Sequence, residues 1–424
     1  MSPELETADL VIVGAGAAGL ASAIFTARAN PRLRVCCLDG ARRIGAKILI
    51  SGGSRCNVTN RVVTERDFWG GSRRCISHVL RAFPAARAAE FFTALGVTLH
   101  EEEDGKLFPD SNRSRTVLDA LLAEAARLQI VIDTGQRVLD VERRADRFVV
   151  VTADRRIDAR QVVLATGGRS LPKSGSDGHG YSMATRLGHR LVETTPALAP
   201  LLLNGTAHAR LAGVSHRAAL TLRADGAAVI QLAGALLWTH FGASGPVVLN
   251  MSRHWLRAQR DGCANVELLL SVCPGETFES LDTWWLEQAR TRPRAQASTL
   301  LSTLVPAAVA LAFLNASGVA PEATLAHVAK DDRRRVIRLL TALPLDVRDS
   351  RGYDHAEVTA GGVMLDEIDP ATMESRVCPG LYLVGEILDV DGRLGGFNFQ
   401  WAWASAWVAS RAIARPIASA VTRK

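Results

Sequence analysis

The chain has 424 residues, 48% of them hydrophobic and 22% charged, a balance that excludes a disordered, fibrous or low-complexity protein. Its length exceeds one small core and predicts two or three domains. The net charge of +7 is almost all arginine, the lysines being Lys47, Lys106, Lys173, Lys330 and Lys424, and it fits an anionic cofactor or substrate as well as nucleic acid. Basic residues are interleaved with acids, and the densest run, Asp331 to Arg335, reads as a solvated helix face. Seven cysteines without a C-x-x-C spacing make neither a disulfide framework nor a zinc site, so no metal is expected and a reducing compartment is. Met1 to Asp9 lacks the layout of a secretion signal. The longest apolar run, Val305 to Leu314, is far short of the ~18–20 residues of a membrane span and reads as a buried helix. A cytoplasmic location with no membrane partner is the expectation.

In chain order, Asp9 to Val13 is a continuous aliphatic run, as in a strand covered on both faces. A glycine turn, a helix over Ala17–Ala29 and a second buried strand, Arg34 to Asp39, complete a βαβ unit. Amphipathic helix follows over 75–99 and again over Thr116 to Leu128. Short strands are expected at Ile130–Asp133, Arg137–Glu142 and Phe148–Thr152, then a buried strand, Gln161–Thr166, running into Gly167-Gly168. From 198 to 232 the alternation is that of an antiparallel sheet or barrel. Residues 276 to 343 turn helical, with Trp284, Trp285, Leu301, Leu304, Leu311 and Leu339 as core candidates. After Glu357 come glycine-rich turns, a strand at Leu381–Val384 and a final helix from about Trp401 to Ala414.

Gly14-Ala15-Gly16-Ala17-Ala18-Gly19 fits G-x-G-x-x-G between a strand and a helix. Its first glycine permits the turn, the second admits a pyrophosphate to the backbone, and the third lets helix pack on strand. The helix start offers unpaired N–H groups to phosphate. Asp39, twenty residues after Gly19, ends the second strand where a carboxylate can bind a ribose diol. This context points to a dinucleotide without separating FAD from NAD.

Three further segments extend the pattern. They are Gly45-Ala46-Lys47 through Ser51-Gly52-Gly53-Ser54-Arg55-Cys56-Asn57 to Asn60; Ala165-Thr166-Gly167-Gly168-Arg169-Ser170 with Gly175 to Gly180; and Thr359-Ala360-Gly361-Gly362 with Gly385-Glu386 to Gly392 and Gly395-Gly396-Phe397-Asn398-Phe399-Gln400. Together with the fingerprint they resemble the BaiN-like family of bacterial NAD(P)/FAD-dependent oxidoreductases, which includes bile-acid 3-dehydro-Δ4,6-reductase and aminoacetone oxidase. The resemblance covers nearly the whole chain. It departs at Ser54, where relatives carry glycine, and at Phe397, where many carry Tyr.

The resemblance implies an α/β fold: a Rossmann-like FAD-binding domain made discontinuously from 1–192 and 345–424, with an inserted small β-barrel over 193–275 and a helical subdomain over 276–344. It places Gly14, Gly16, Ala17, Ala18 and Gly19 at the pyrophosphate and Asp39 and Gly40 at the adenosine. Val138 would meet adenine through its backbone. Lys47, Ser51, Gly52, Gly53 and Asn57 would pass along the flavin, and Ala165, Thr166, Gly167 and Gly168 would close over the dinucleotide. Gly385, Glu386 and Asp389 would reach the ribityl chain or phosphate, with Gly396, Phe397 and Asn398 at the pyrimidine edge. Gly178 and Gly180 are ligands or a plain turn; Asp391 is a ligand or a cap. Cys56 is a redox thiol or, better, a small buried hydrophobe. His240, in Trp238-Thr239-His240-Phe241-Gly242, is a catalytic proton donor or part of a packed loop.

The expected function is hydride transfer between FAD and a small organic substrate, in the direction of C=C reduction with NAD(P)H as a transient donor. Amine oxidation by O2 is the alternative. No second glycine fingerprint occurs between 150 and 350, so a separate NAD domain is not expected. A flavoprotein that binds RNA or DNA is the rival prompted by charge; with three tyrosines and no aromatic-interleaved basic strand, nucleic acid is the lesser expectation.

Overall fold

The computed structural model describes residues 6–415, which fall into two compact units: one made from the chain up to Thr195 and from Glu357 onward, the other from Pro196 to Ala356.

The first unit is built on a seven-stranded sheet. Val131–Thr134, Val35–Asp39, Glu6–Val13 and Arg156–Leu164 lie side by side in parallel, and Leu381–Leu383 pairs parallel with the end of Arg156–Leu164. The antiparallel hairpin Asp140–Arg144 and Arg147–Val151 pairs with that strand's first half. Leu10, Val11, Ile12, Val162, Val163 and Leu164 are fully buried, which is why these stretches read as unbroken apolar runs rather than alternating ones. Helices Ala17–Ala29 and Phe397–Ile413 pack together beside the sheet, their neighbours including Ser114–Arg127 and Arg73–Ala82. The parallel strands all end at one edge, where Val13 leads to Gly14, Asp39 to Gly40, Leu164 to Ala165 and Leu383 to Val384-Gly385. In open α/β sheets that carboxyl edge, at the point where strand order reverses, is where ligands bind.

The second unit is a seven-stranded antiparallel sheet in the order Leu343–Leu345, Glu267–Ser271, Ser215–Ala224, Ala227–Thr239, Gly242–Ser244, Leu201–Leu203, Val347–Ser350. Only Asp346 separates its two terminal strands, so the sheet curls back on itself like a barrel. Helix Pro246–Arg260 packs on it, followed by the helical stretch from Phe278 to Ala342.

Several expectations shift. The helix over 75–99 is two, Arg73–Ala82 and Ala85–Ala94, broken where Pro84 cannot donate to a preceding turn. Val138 lies before a strand that begins only at Asp140. The last helix opens at Phe397, four residues early, because Gly396 takes φ +88 and turns the chain straight into it. Residues 345–356 cluster with the inserted unit, since Val347–Ser350 completes its sheet. Leu304 and Leu311 are 38% and 41% exposed, because their segment buries Val309, Ala310, Phe313 and Leu314 instead. Within Asp331 to Arg335, Arg333 and Arg334 are half-buried and Arg335 is exposed, Arg333 bonding Asp282 and Arg335 the carbonyl of Ser317. No described helix is long and apolar enough to cross a membrane, and the described residues hold no cluster of metal-ligating side chains.

A buried polar latch ties Arg190 to the return segment. His189 Nδ1 meets Glu367 Oε2 (2.8 Å) and its Nε2 meets Ser375 Oγ (2.8 Å), while Ser375 Oγ accepts from the N–H groups of Val377 (3.1 Å) and Cys378 (2.7 Å). Glu367 also accepts from the backbone and side chain of Arg190. With Ser375 and His189 at most 4% exposed, this Ser–His–Glu set is structural. Ser375→Ala strands two backbone donors and should cost about 2 kcal/mol in urea unfolding followed by circular dichroism; an unchanged midpoint contradicts the latch.

Candidate functional site

The site assembles at the carboxyl edge of the parallel strands, where backbone approaches so closely that side chains do not fit. Gly14 has φ +102, and a Cβ there would lie 2.5 Å from the carbonyl oxygen of Ala165. A Cβ on Gly19 would lie 1.8 Å from Gly14 O. Around Gly16, by contrast, no atom lies within 4 Å of a Cβ position, so this face of the turn is open. Helix Ala17–Ala29 starts there without a side-chain cap, leaving the N–H groups of Ala17, Ala18 and Gly19 available to an anion. Asp39 holds the turn: Oδ2 accepts from Ala15 N (2.7 Å) and Oδ1 from Ala41 N (2.8 Å). The segment carrying Val138 runs alongside, with Gln136 N donating to Asp39 O (2.8 Å) and Arg137 packed against Gly40.

A second cluster joins both ends of the chain. Lys47 Nζ donates to Glu386 Oε2 and to Ser170 Oγ (2.7 Å), and Glu386 Oε1 accepts from Ser170 Oγ (2.9 Å) and Thr359 N (2.9 Å). Thr359 Oγ1 accepts in turn from the N–H groups of Arg169 and Ser170. Gly168 sits against this network: a Cβ would meet Thr359 Oγ1 at 2.3 Å and Glu386 Oε1 at 2.8 Å. Gly385, at φ +73, approaches Ala18 and donates its N–H to Ser405 Oγ (3.0 Å), which links the cluster to the glycine turn.

The third element is the loop after Lys47. Helical turns from Ala46 give way at Ser51, and Gly52, Gly53 and Ser54 have φ +55, +67 and +67. Ser54 therefore occupies the conformation for which relatives use glycine, at a modest local cost. Cys56 also has positive φ and is fully buried; burial pushes its thiol up to about 12, which removes the thiolate needed for exchange chemistry. Thr59 and Gly396 press together, and the Thr59 hydroxyl donates to Gln400 Oε1 (2.7 Å). Trp403 Nε1 donates to Val58 O (2.9 Å). The helix from Phe397 thus starts beside this loop, again without a side-chain cap.

Not every expected residue offers a side chain. Asn398 is spent on both backbone groups of Gly392 (2.7 and 3.0 Å). The Phe397 ring is buried against Phe68 and beneath Arg393. Asp389 is buried beside Gly70, its carbonyl accepting from Gly71 N (2.7 Å). Gly180 packs on Thr166 and Gly178 on Arg169, both at the start of helix His179–Arg186. His240 belongs to the inserted unit, exposed in the turn after Ala227–Thr239 with its ring edge-on to Phe241. The sequence analysis assigned no role to Thr359, Ser170 or Ser405; the signal of the first two is a hydroxyl just outside a glycine motif, while Ser405 lies inside a helix with no such mark.

A long polar dinucleotide fits this cradle. Among the described residues, the buried side-chain oxygens Asn57 Oδ1, Thr166 Oγ1 and Ser176 Oγ have no hydrogen-bond partner, a cost that a bound polar ligand would remove. The openings at Gly16 and Gly53, the uncapped helix starts and the Lys47 cation suit pyrophosphate and a flavin that becomes anionic on reduction.

The doubly wound sheet and this cradle define the class of FAD-dependent oxidoreductases. A sequence profile of the HI0933-like protein Rossmann domain matches residues 8–412, and the chain belongs to that family. It is 33% identical over 406 residues to the 3-dehydro-bile acid delta(4,6)-reductase of Clostridium scindens, covering 95% of this chain and 98% of the relative. It is 32% identical over 410 residues to the ribosomal RNA dihydrouridine synthase of Escherichia coli K12, covering 96% and 98%. Among solved structures, a quinol fumarate reductase of Escherichia coli aligns over 97% of this chain and 70% of its own with a TM-score of 0.51 at 18% identity, a likeness of fold.

Gly168→Ala forces a methyl group into Thr359 and Glu386 and should lower FAD retention at least about tenfold, read as the flavin-to-protein absorbance ratio after dialysis. Full retention would remove the Lys47–Glu386 network from the cradle.

Proposed function

We propose that this chain is an FAD-dependent reductase that takes hydride from NAD(P)H and delivers it to a ring carbon–carbon double bond conjugated to a carbonyl. The observation that carries the reading is the chain-length identity of 33% to a protein named for reducing the delta(4,6) unsaturation of a 3-dehydro-bile acid. Bound FAD supplies the hydride carrier.

The chain's own residues bind and orient. The glycine turn and the start of helix Ala17–Ala29 hold phosphate, with Asp39 fixing the turn. Lys47 and Glu386 fix the second anchor. The uncapped start of helix Phe397–Ile413 would lie toward the flavin's pyrimidine edge and would offset negative charge there. Cys56, buried and protonated, takes no part.

A second reading keeps the chemistry and changes the substrate to a uracil ring in RNA. The 32% identity to a ribosomal RNA dihydrouridine synthase favours it, as does the net charge of +7.

Anaerobic NADH or NADPH should bleach the flavin band, and a 4-en-3-one steroid or uridine-containing RNA should restore it. Failure of both nicotinamides, or rapid turnover of a primary amine under air instead, would contradict the reading.

A further inference from the structure

At the end of the first unit remote from the glycine turn, two helices finish side by side. Ala17–Ala29 and Phe397–Ile413 run parallel. Gly385, whose carbonyl accepts from Trp401 Nε1 near the start of one, packs on Ala18 at the start of the other; at the far ends Asn30 Nδ2 donates to Ala414 O (3.2 Å). Helix Ala85–Ala94 approaches these ends through Arg87, Glu90 and Phe91, and an open cavity of about 390 Å³ lies among them. Its apolar wall is Phe25, Phe83, Phe91 and Trp407. Phe25 lies 5.4 Å from Phe83 and 5.2 Å from Trp407, ring centre to ring centre, and Phe83 lies 5.3 Å from Trp407. A concave aromatic wall of this size suits a small ligand.

Three arginines and one acid complete the lining. Arg28 is accounted for by its bond to Glu124 (2.7 Å). Arg87 and Arg411 instead stand over the same indole, 4.4 and 5.8 Å from the Trp407 ring centre, and neither forms an ion pair with a described carboxylate. Arg411, in the last turn of its helix, complements the dipole there. Arg87 does the reverse. It occupies the first turn of Ala85–Ala94, whose N-terminus has no side-chain cap, so a cation stands against N–H groups that are themselves positive. Glu90 leaves the set with surplus positive charge. The Trp407 indole holds both exposed guanidinium groups by their faces, and an anion resting on Arg87 and Arg411 would take their N–H edges.

We propose that this cavity binds an organic anion, a flat ring bearing a carboxylate or a phosphate, at a site separate from the cofactor cradle and about 20 Å from it along the first helix. The ring packs beside Trp407, the partly exposed member of the aromatic wall, and the anion bonds the two guanidinium groups.

Calorimetric titration of the FAD-loaded protein with 2-naphthoate, AMP and inorganic phosphate tests this, the filled cradle keeping AMP out of the adenosine position. Saturable binding of 2-naphthoate or AMP is expected, with phosphate weaker because it lacks the ring. Preference between the two identifies the anion. The Arg87→Gln, Arg411→Gln double variant should bind at least about tenfold more weakly at unchanged FAD content; should it fail to fold, Arg411→Gln alone should still weaken binding severalfold. No saturable binding of any probe, equal binding of phosphate, or affinity untouched by the substitutions would overturn the proposal.

Discussion

Exclusion of side chains from the carboxyl edge of the parallel strands is the constraint on which the rest depends. Gly14, Gly19 and Ala165 meet at distances no Cβ could share, and Gly168 and Gly385 repeat the arrangement on the neighbouring strand ends. Close backbone approach turns the edge into a surface of N–H groups and helix starts, able to hold a long anion without dedicated cationic side chains. Each of these glycines loses more conformational freedom on folding than a residue with a side chain would, and the surface stays bare in return.

The edge is then stiffened from a distance. Lys47, Ser170, Thr359 and Glu386 come from separate segments, the Lys47–Glu386 pair 339 residues apart, and each bond closes one part of the cradle on another. The tryptophans of the last helix act similarly, Trp401 holding Gly385 O and Trp403 holding Val58 O. A partly buried polar network of this kind specifies one arrangement only when every member is satisfied, and Asn57 Oδ1, Thr166 Oγ1 and Ser176 Oγ are left for a ligand to satisfy.

Much of this was legible in the sequence because its causes are local. The unbroken aliphatic strands, the G-x-G-x-x-G turn and Asp39 carry their meaning in a few adjacent residues. Ser54 was flagged by the absence of a glycine, and its φ of +67 gives the reason. What escaped was decided by partners distant in the chain. Nothing near Thr359 announces that its hydroxyl serves Arg169 and Ser170, nor does the neighbourhood of Asn398 reveal that its amide is spent on Gly392. Leu311 looked like core because apolar residues surround it on the helix, but only one stripe of that helix is buried, against Ala297–Leu301 and Lys330–Ala342. Residues 345–356 follow the same rule, since the strand they complete belongs to a sheet begun near residue 201.

The most direct test of the central claim is identification, by chromatography, of the cofactor released on heating the purified protein. FAD at close to one equivalent per chain is the predicted result. A colourless protein that cannot be reconstituted with FAD would contradict the account and leave the glycine edge as scaffold alone.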